Sequence, residues 1–309
     1  MNELIIATRE SQLALWQSEF IKAFLQERYP DLRINLQGFK TKGDVLLDTP
    51  LAKIGGKGLF TKELEESMLA GKAHLAVHSL KDVPSFFPEG LTLAAVCKRE
   101  EPNDALLSEK FKDLASLPQG AKVGTTSLRR KMQLLLKRPD LNIISLRGNI
   151  NSRLEKLKKG EFDAIVLAYA GLKRLNLQNA VKFLYKFSLD EMIPAASQGI
   201  LGIESLDEPK LLQTLAVLND EQAVVASRIE RDFIKELEGG CQVPIGVNAE
   251  ILGTSVQIRA VLGLPDGSEI LQKSLNLPLN ESQNAGILLA KEFISKGAKE
   301  LLKRAERMI

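Results

Sequence analysis

Residues 122–168 read KVGTTSLRRKMQLLLKRPDLNIISLRGNINSRLEKLKKGEFDAIVLA. Strand-like stretches at 122–126, 142–146 and 163–168 alternate with segments that read as helices, one from Leu128 and one from Asn151 to Lys159. Strand then helix, repeated, is the pattern of a parallel sheet covered by helices. The same pattern holds upstream. ELIIAT at 3–8 reads as a buried strand, and SQLALWQSEFIKAFLQER at 11–28 carries apolar residues at helical spacing with Ser11 as N-cap. RINLQGF at 33–39 alternates as a strand, and residues 40–60 read as a polar, glycine-containing loop. Thr61 is expected to cap a helix whose Glu63 and Glu65 sit where the helix dipole favours them, with strands at 74–78 and 91–97 after it. From Lys98 to Pro118 charges and prolines interrupt the pattern, which marks a crossing to a second lobe. Residues 208–238 read as helices. After Cys241 the pattern becomes that of antiparallel strands around a turn at Pro265-Asp266-Gly267, and a helical stretch follows.

At 309 residues the chain is longer than one core usually organises. Aromatic residues make up 5%, too few to favour stacking platforms for single-stranded nucleic acid, and the net charge of +3 selects no class of partner. Two cysteines form no disulfide framework, so a reducing compartment is expected. MNELIIATRE lacks the basic start and long apolar run of an export signal, and no stretch has the length of a membrane span, so the expectation is a cytoplasmic protein. His74 and His78 lie four apart with no Cys or third His nearby, and no metal site is expected.

Four stretches could carry chemistry. GTTSLRR at 124–130 places small polar residues between a strand and a helix, so backbone N–H groups and the dipole point to the same place as Arg129 and Arg130. SLRGNINSR at 145–153 repeats the device with Arg147 and Arg153. Arginine forks match carboxylates bidentately, so these residues read either as a site for a polyacidic ligand or as surface arginines near helix ends. HSLKDVP at 78–84 presents Lys81 and Asp82 where a strand ends, because Pro84 forces Val83 to be extended; this is either a carboxylate set in a basic cleft or a surface turn. Arg9 in IATRES holds the equivalent place after the first strand. EGGCQVPIG at 238–246 puts Cys241 past a helix end, as a small packed residue or as a thiol held for attachment. KIGGKGLFTKE at 53–63 fails the phosphate-loop pattern, having Leu51 and Gly58 where Gly and Ser or Thr are required, and reads as a mobile basic lid.

Taken together, ATRES with LALWQ, LDTPLAKIGGKGLF, HSLKDVP, GTTSLRR, SLRGN, DAIVLAYAGLKRL, IPAASQGILGIE and EGGCQVPIG resemble, in order and over nearly the whole chain, the porphobilinogen deaminase family. The resemblance implies a transferase that polymerises four porphobilinogen molecules head-to-tail into the linear tetrapyrrole hydroxymethylbilane with release of ammonia, a step of haem biosynthesis. It implies a dipyrromethane cofactor joined by a thioether to Cys241, and Asp82 as the catalytic carboxylate. Ser79, Lys81, Thr125, Thr126, Ser127, Arg129, Arg130 and Arg147 match positions that hold the cofactor's acidic side chains. Arg9, Ser11, Arg147 and Arg153 match those around the incoming substrate, with Gln198 beside them, and Lys53, Lys57 and Phe60 fall in a mobile loop. The sequence departs from the family pattern at Gln12, where Pro is common, and at Ser197, where Gly is commoner.

The implied fold is α/β: two lobes like those of periplasmic binding proteins, with helix-covered mixed sheets, and a small α+β C-terminal domain with an antiparallel sheet. The first lobe is expected at 1–97 and 198–217, the second at 98–197 and the third domain at 218–309, in a monomer with no membrane or nucleic-acid partner. A non-catalytic binding module for a polyacidic small molecule is the rival reading, and Cys241 argues against it. A nucleic-acid binder would use the basic stretch from Arg129 to Lys159, which has ten Lys or Arg and two Asp or Glu.

Overall fold

The computed structural model describes residues 3–45, 58–84, 86–238 and 243–308, with the backbone alone at 44 and 45. Lys53, Lys57 and Cys241 lie outside the described residues. The chain divides into two compact units, Met1–Glu100 with Gly199–Val224 and Glu101–Gln198 with Val225–Ile309. The residues from 225 onward fall in the second compact unit, where they build a sheet of their own.

The first unit is built on a five-stranded sheet in the order β2-β1-β3-β10-β4. β1 (Glu3–Arg9), β2 (Arg33–Phe39) and β3 (Leu75–Ser79) run parallel, while β10 (Leu201–Leu206) is antiparallel to β3 and to β4 (Leu91–Val96). β10 is the returning strand that local patterning did not expose. α1 (Gln12–Arg28) starts at Ser11, whose hydroxyl accepts the Ala14 N–H. It packs Ile21 and Leu25 against Leu4, Ile6, Leu75 and Val77. Full burial of each such side chain stabilises by about 1.5–3 kcal/mol. A short helical turn, α2 (Lys42–Val45), precedes α3 (Lys62–Leu69), which covers the other face with Leu64 and Met68 against Ala7 and Ala76. Thr61 precedes α3, but its side chain makes no capping hydrogen bond. Since β1 and β3 are parallel, Arg9 and Ser79 emerge at one edge of the sheet.

The second unit carries a five-stranded sheet, β7-β6-β8-β5-β9, and a separate three-stranded antiparallel sheet, β11-β12-β13. β6 (Lys122–Gly124), β7 (Asn142–Ile144) and β8 (Ala164–Ala168) are the parallel strands read from 122–168. α4 (Leu128–Lys137) and α5 (Ile150–Lys158) connect them, capped by Ser127 and Asn149. The region expected as an interruption contains β5 (Asp104–Ser108), buried along its whole length and antiparallel to both β8 and β9 (Phe183–Lys186). β11 (Ile245–Leu252), β12 (Ser255–Gly263) and β13 (Ile270–Pro278) form the small sheet, and the expected turn lies between the last two, with the Asp266 carboxylate accepting the Ser268 N–H. Phe233, Leu289, Phe293 and Leu301 pack beneath it.

Ser197, the departure from the family pattern, sits at φ +60°, a left-handed conformation that favours glycine. Its N–H donates to the buried Glu230 carboxylate, while its own hydroxyl is buried and has no hydrogen-bond partner among the described residues. Ser197→Gly is expected to raise stability by about 1 kcal/mol, the strain relieved exceeding the added freedom of the unfolded chain. A thermal melt reads this directly, and a lower midpoint would contradict it.

Candidate active site

A hollow at the edge of the first sheet is lined by Arg9, Ser11, Gln17, Phe60, Ser79 and Asp82. Arg9 ends β1, and Ser11 both caps α1 and faces the hollow. After β3 the chain makes a 3-10 turn, Leu80–Asp82, with Leu80 fully buried as its anchor. The Leu80 N–H donates to Ile200 O at 3.0 Å, and the Val83 N–H closes the turn on Leu80 O. Val83 is extended (φ −90°, ψ 126°), as Pro84 requires, and buried. With Leu80 and Val83 directed inward, Asp82 is exposed and Lys81 half-buried. The extended Val83 before Pro84 is legible in the sequence; the 3-10 turn and its hydrogen bond to Ile200 are not.

Gln17 was not anticipated. It is 2% exposed on the inner face of α1, and its amide donates to the Ser79 hydroxyl at 2.9 Å. A polar residue in line with Ala14, Ile21 and Leu25 was the available signal. Arg9 lies with its guanidinium carbon 4.4 Å from the centroid of the Phe60 ring. The ring in turn rests on Gly43, where a methyl group would overlap it. Phe60 thus packs against both a cation and a bare backbone. Chemically, a guanidinium and two hydroxyls suit a ligand carboxylate, and an exposed carboxylate among them suits an N–H donor or a developing cation.

The two histidines serve the protein itself. His74 Nδ1 accepts the Ile5 N–H at 3.0 Å, and His78 Nε2 lies 2.8 Å from Glu204 Oε2. Among the described residues no group of three or more His, Cys, Asp or Glu is disposed around a common point.

The second unit's arginines surround a residue that sequence reading passed over. Asp104, the first residue of β5, is 0% exposed. Arg129 Nη1 donates to its Oδ2 at 2.6 Å, and Arg130 donates to Oδ1 from Nε at 3.0 Å and from Nη2 at 2.7 Å. Arg130 Nη1 donates to Val166 O, and Arg129 Nη1 also reaches Ile193 O. Burial alone would raise the pKa of Asp104; the charges of Arg129 and Arg130 outweigh it and hold the carboxyl below the usual range. Both arginines, expected to bind a ligand, are 3% and 6% exposed and face this internal anion.

Gln198, expected beside the substrate, is 1% exposed and donates its amide to Pro102 O at 2.6 Å and Asp104 Oδ1 at 3.0 Å, so it belongs to the same cluster. Thr125 accepts the Ser127 N–H, and Ser127 accepts that of Arg130, which fixes the loop after β6. Thr126, Ser127, Arg147 and Arg153 are half-buried. Arg153 Nε donates to Gly148 O at 2.7 Å; Gly148 has φ +111°, which side chains rarely adopt.

Two family models match the chain: "Porphobilinogen deaminase, dipyromethane cofactor binding domain" over residues 4–214, and "Porphobilinogen deaminase, C-terminal domain" over residues 224–295. Curated relatives carrying the name porphobilinogen deaminase include that of Campylobacter lari, 69% identical over 307 residues that cover 99% of this chain and 100% of that one. The Campylobacter concisus protein is 62% identical over 308 residues, covering 100% of both. Among solved structures, the periplasmic aliphatic sulphonate binding protein SsuA of Escherichia coli has 14% identity and a TM-score of 0.39, over 77% of this chain and 71% of that one. Among the described residues no helix is long and apolar enough to cross a membrane.

Proposed function

The chain belongs to the porphobilinogen deaminase family, and on that premise we propose how its residues divide the work. The enzyme is a transferase that joins porphobilinogen units into hydroxymethylbilane with release of ammonia, in tetrapyrrole biosynthesis, and it uses a dipyrromethane cofactor. Each porphobilinogen unit bears an acetate, a propionate and an aminomethyl group on a pyrrole ring. Such a ligand needs cations and hydroxyls for its carboxylates and an acceptor for its N–H. The first unit's hollow offers that donor set in Arg9, Ser11, Ser79 and Asp82, and so the residues present fit both substrate and cofactor.

When bound, the dipyrromethane supplies the terminal pyrrole carbon to which the first unit is joined. In our reading Cys241 anchors it by a thioether. Ser79, Lys81, Thr125, Thr126, Ser127, Arg129, Arg130 and Arg147 hold its acidic side chains. Because each guanidinium nitrogen of Arg130 is already engaged, its share comes from the remaining hydrogens of Nη1 and Nη2. Arg9, Ser11, Arg147 and Arg153 bind the substrate's carboxylates, with Gln198 beside them. Lys53, Lys57 and Phe60 cover the site.

Asp82 accepts the pyrrole N–H and stabilises the electron-poor methylene left on the substrate when ammonia departs. It also moves the proton lost from the attacked position. The observation that carries this reading is an exposed carboxylate fixed on a rigid turn in the same hollow as an arginine and two hydroxyls. We place the enzyme in the cytoplasm as a monomer, in keeping with a chain that has two cysteines.

Intact-protein mass spectrometry tests the anchor. Freshly purified protein is expected to exceed the polypeptide mass by two pyrrole units, and Cys241→Ser to show the bare mass. An unmodified wild type, or an adduct that persists on the serine variant, would overturn the assignment.

A further inference from the structure

Two segments of main chain are tied together beside Phe60. The Gly43 N–H donates to Leu59 O at 3.1 Å, and the Lys42 N–H donates to Glu63 Oε1 at 3.0 Å. Phe60 itself stands in a turn closed by the Thr61 and Lys62 N–H groups, which both donate to Gly58 O, and Gly58 has φ +85°, a conformation that favours glycine. Hydrogen-bonded backbone thus fixes the point from which the ring projects.

Gly43 is buried, and a methyl group built on it would lie 2.1 Å from Cε1 of the Phe60 ring and 2.5 Å from Cδ1. Its backbone does not demand glycine. Residue 43 belongs to the helical turn α2, its φ is not positive, and alanine is the stronger helix former. What glycine provides there is room for the ring.

The ring in turn carries Arg9, whose guanidinium carbon is 4.4 Å from its centroid. An aromatic face attracts a guanidinium through its quadrupole but has no formal charge, so the contact restrains the side chain without cancelling its charge. Arginine has several rotatable bonds, and ordering it costs side-chain entropy. A ring that orders Arg9 beforehand spares the substrate that cost.

We propose that Phe60, seated on Gly43, is a positioning residue for Arg9, and that the bare backbone at 43 thereby sets the affinity of the hollow for the carboxylates of porphobilinogen. The inference rests on the reading of Arg9 as a substrate contact given above.

The test measures the porphobilinogen concentration that half-saturates addition of the first unit to the cofactor-loaded enzyme, followed by intact mass. Phe60→Leu removes the aromatic face and Gly43→Ala displaces it. Each is expected to raise the half-saturating concentration roughly 2- to 30-fold, the range that a cation–π contact spans, while the saturating rate stays within about twofold of wild type. Phe60→Tyr, which keeps the face, should behave as wild type. Gly43→Ala combined with Phe60→Leu should be no worse than Phe60→Leu alone, because the methyl group then has no ring to displace. A purely structural role would lower the melting temperature and the saturating rate together and leave half-saturation in place. In proton–nitrogen NMR spectra without substrate, the Arg9 Nε–H signal, identified by its loss in Arg9→Ala, should shift in both Phe60→Leu and Gly43→Ala as the ring leaves it. Unchanged half-saturation in both variants, or an Arg9 signal that stays in place in both, overturns the proposal. If Arg9→Ala weakens substrate binding while Phe60→Leu and Gly43→Ala do not, only this inference fails. If Arg9→Ala leaves half-saturation unchanged, the reading beneath it fails as well.

Discussion

Asp82→Ala is expected to retain the cofactor and lose chain extension, with kcat reduced on the order of 10²- to 10⁴-fold, the range for removal of a group that acts on the reacting atoms by proton transfer. Two structural facts separate this loss from unfolding. Asp82 is exposed, so truncation leaves no cavity, and the turn beneath it is held by Leu80, Val83 and main-chain hydrogen bonds that the substitution leaves intact. Thermal stability should therefore stay within about 0.5 kcal/mol of wild type. A single-turnover assay with porphobilinogen, read beside the intact mass, tests both halves. Near-normal turnover would remove Asp82 from the catalytic role.

Asp104→Asn is expected to have the largest effect on stability, a loss of about 3–5 kcal/mol, since it leaves two buried guanidiniums without their anion. The amide preserves size, and so the cost is one of charge rather than volume. Denaturant unfolding measures it, and a variant within 1 kcal/mol of wild type would refute the assignment. The pH dependence has a fixed sign. The folded carboxyl is held below the unfolded value of about 3.9, so its contribution is complete above that pH and is lost as pH falls toward the folded value. Wild type and variant should thus differ fully near neutrality and converge in acid below about pH 4.

Asp104 also shows where sequence reading stops. β2, read at 33–39, is found at Arg33–Phe39 because its residues alternate and Pro30 precedes it, signals that lie within the segment. The β12–β13 hairpin was legible for the same reason, its turn residues being adjacent. β5 was not: DALLS is five residues long, begins with a carboxylate, and follows Glu100, Glu101 and Pro102. Its acid is tolerated in the core only because Arg129 and Arg130, some 25 residues later, fold back upon it. The same two arginines stood out in the sequence as ligand-binding groups, whereas their buried partner, distant in the chain, left no local trace.

The site divides along similar lines. Arg9 and Asp82 were legible because each lies where a strand ends and the backbone itself directs the side chain, whereas the site roles of Ser11 and Ser79 came from the family resemblance. Gln17 was hidden inside a regular element, where a polar residue announces itself only once its neighbours are known. Gln198 was placed beside the substrate by the resemblance alone, and the hydrogen bonds of its amide to Pro102 O and Asp104 Oδ1 left no local signal.

The ring of Phe60 resting on Gly43 ties two positions seventeen residues apart to a single allowance of space. Any side chain introduced at 43 must be matched by a smaller one at 60, and a smaller residue at 60 surrenders the aromatic face beside Arg9. Divergence at either place should therefore come as a paired replacement, so that drift in the stretch before α3 is limited by what the first strand's terminal arginine can lean on.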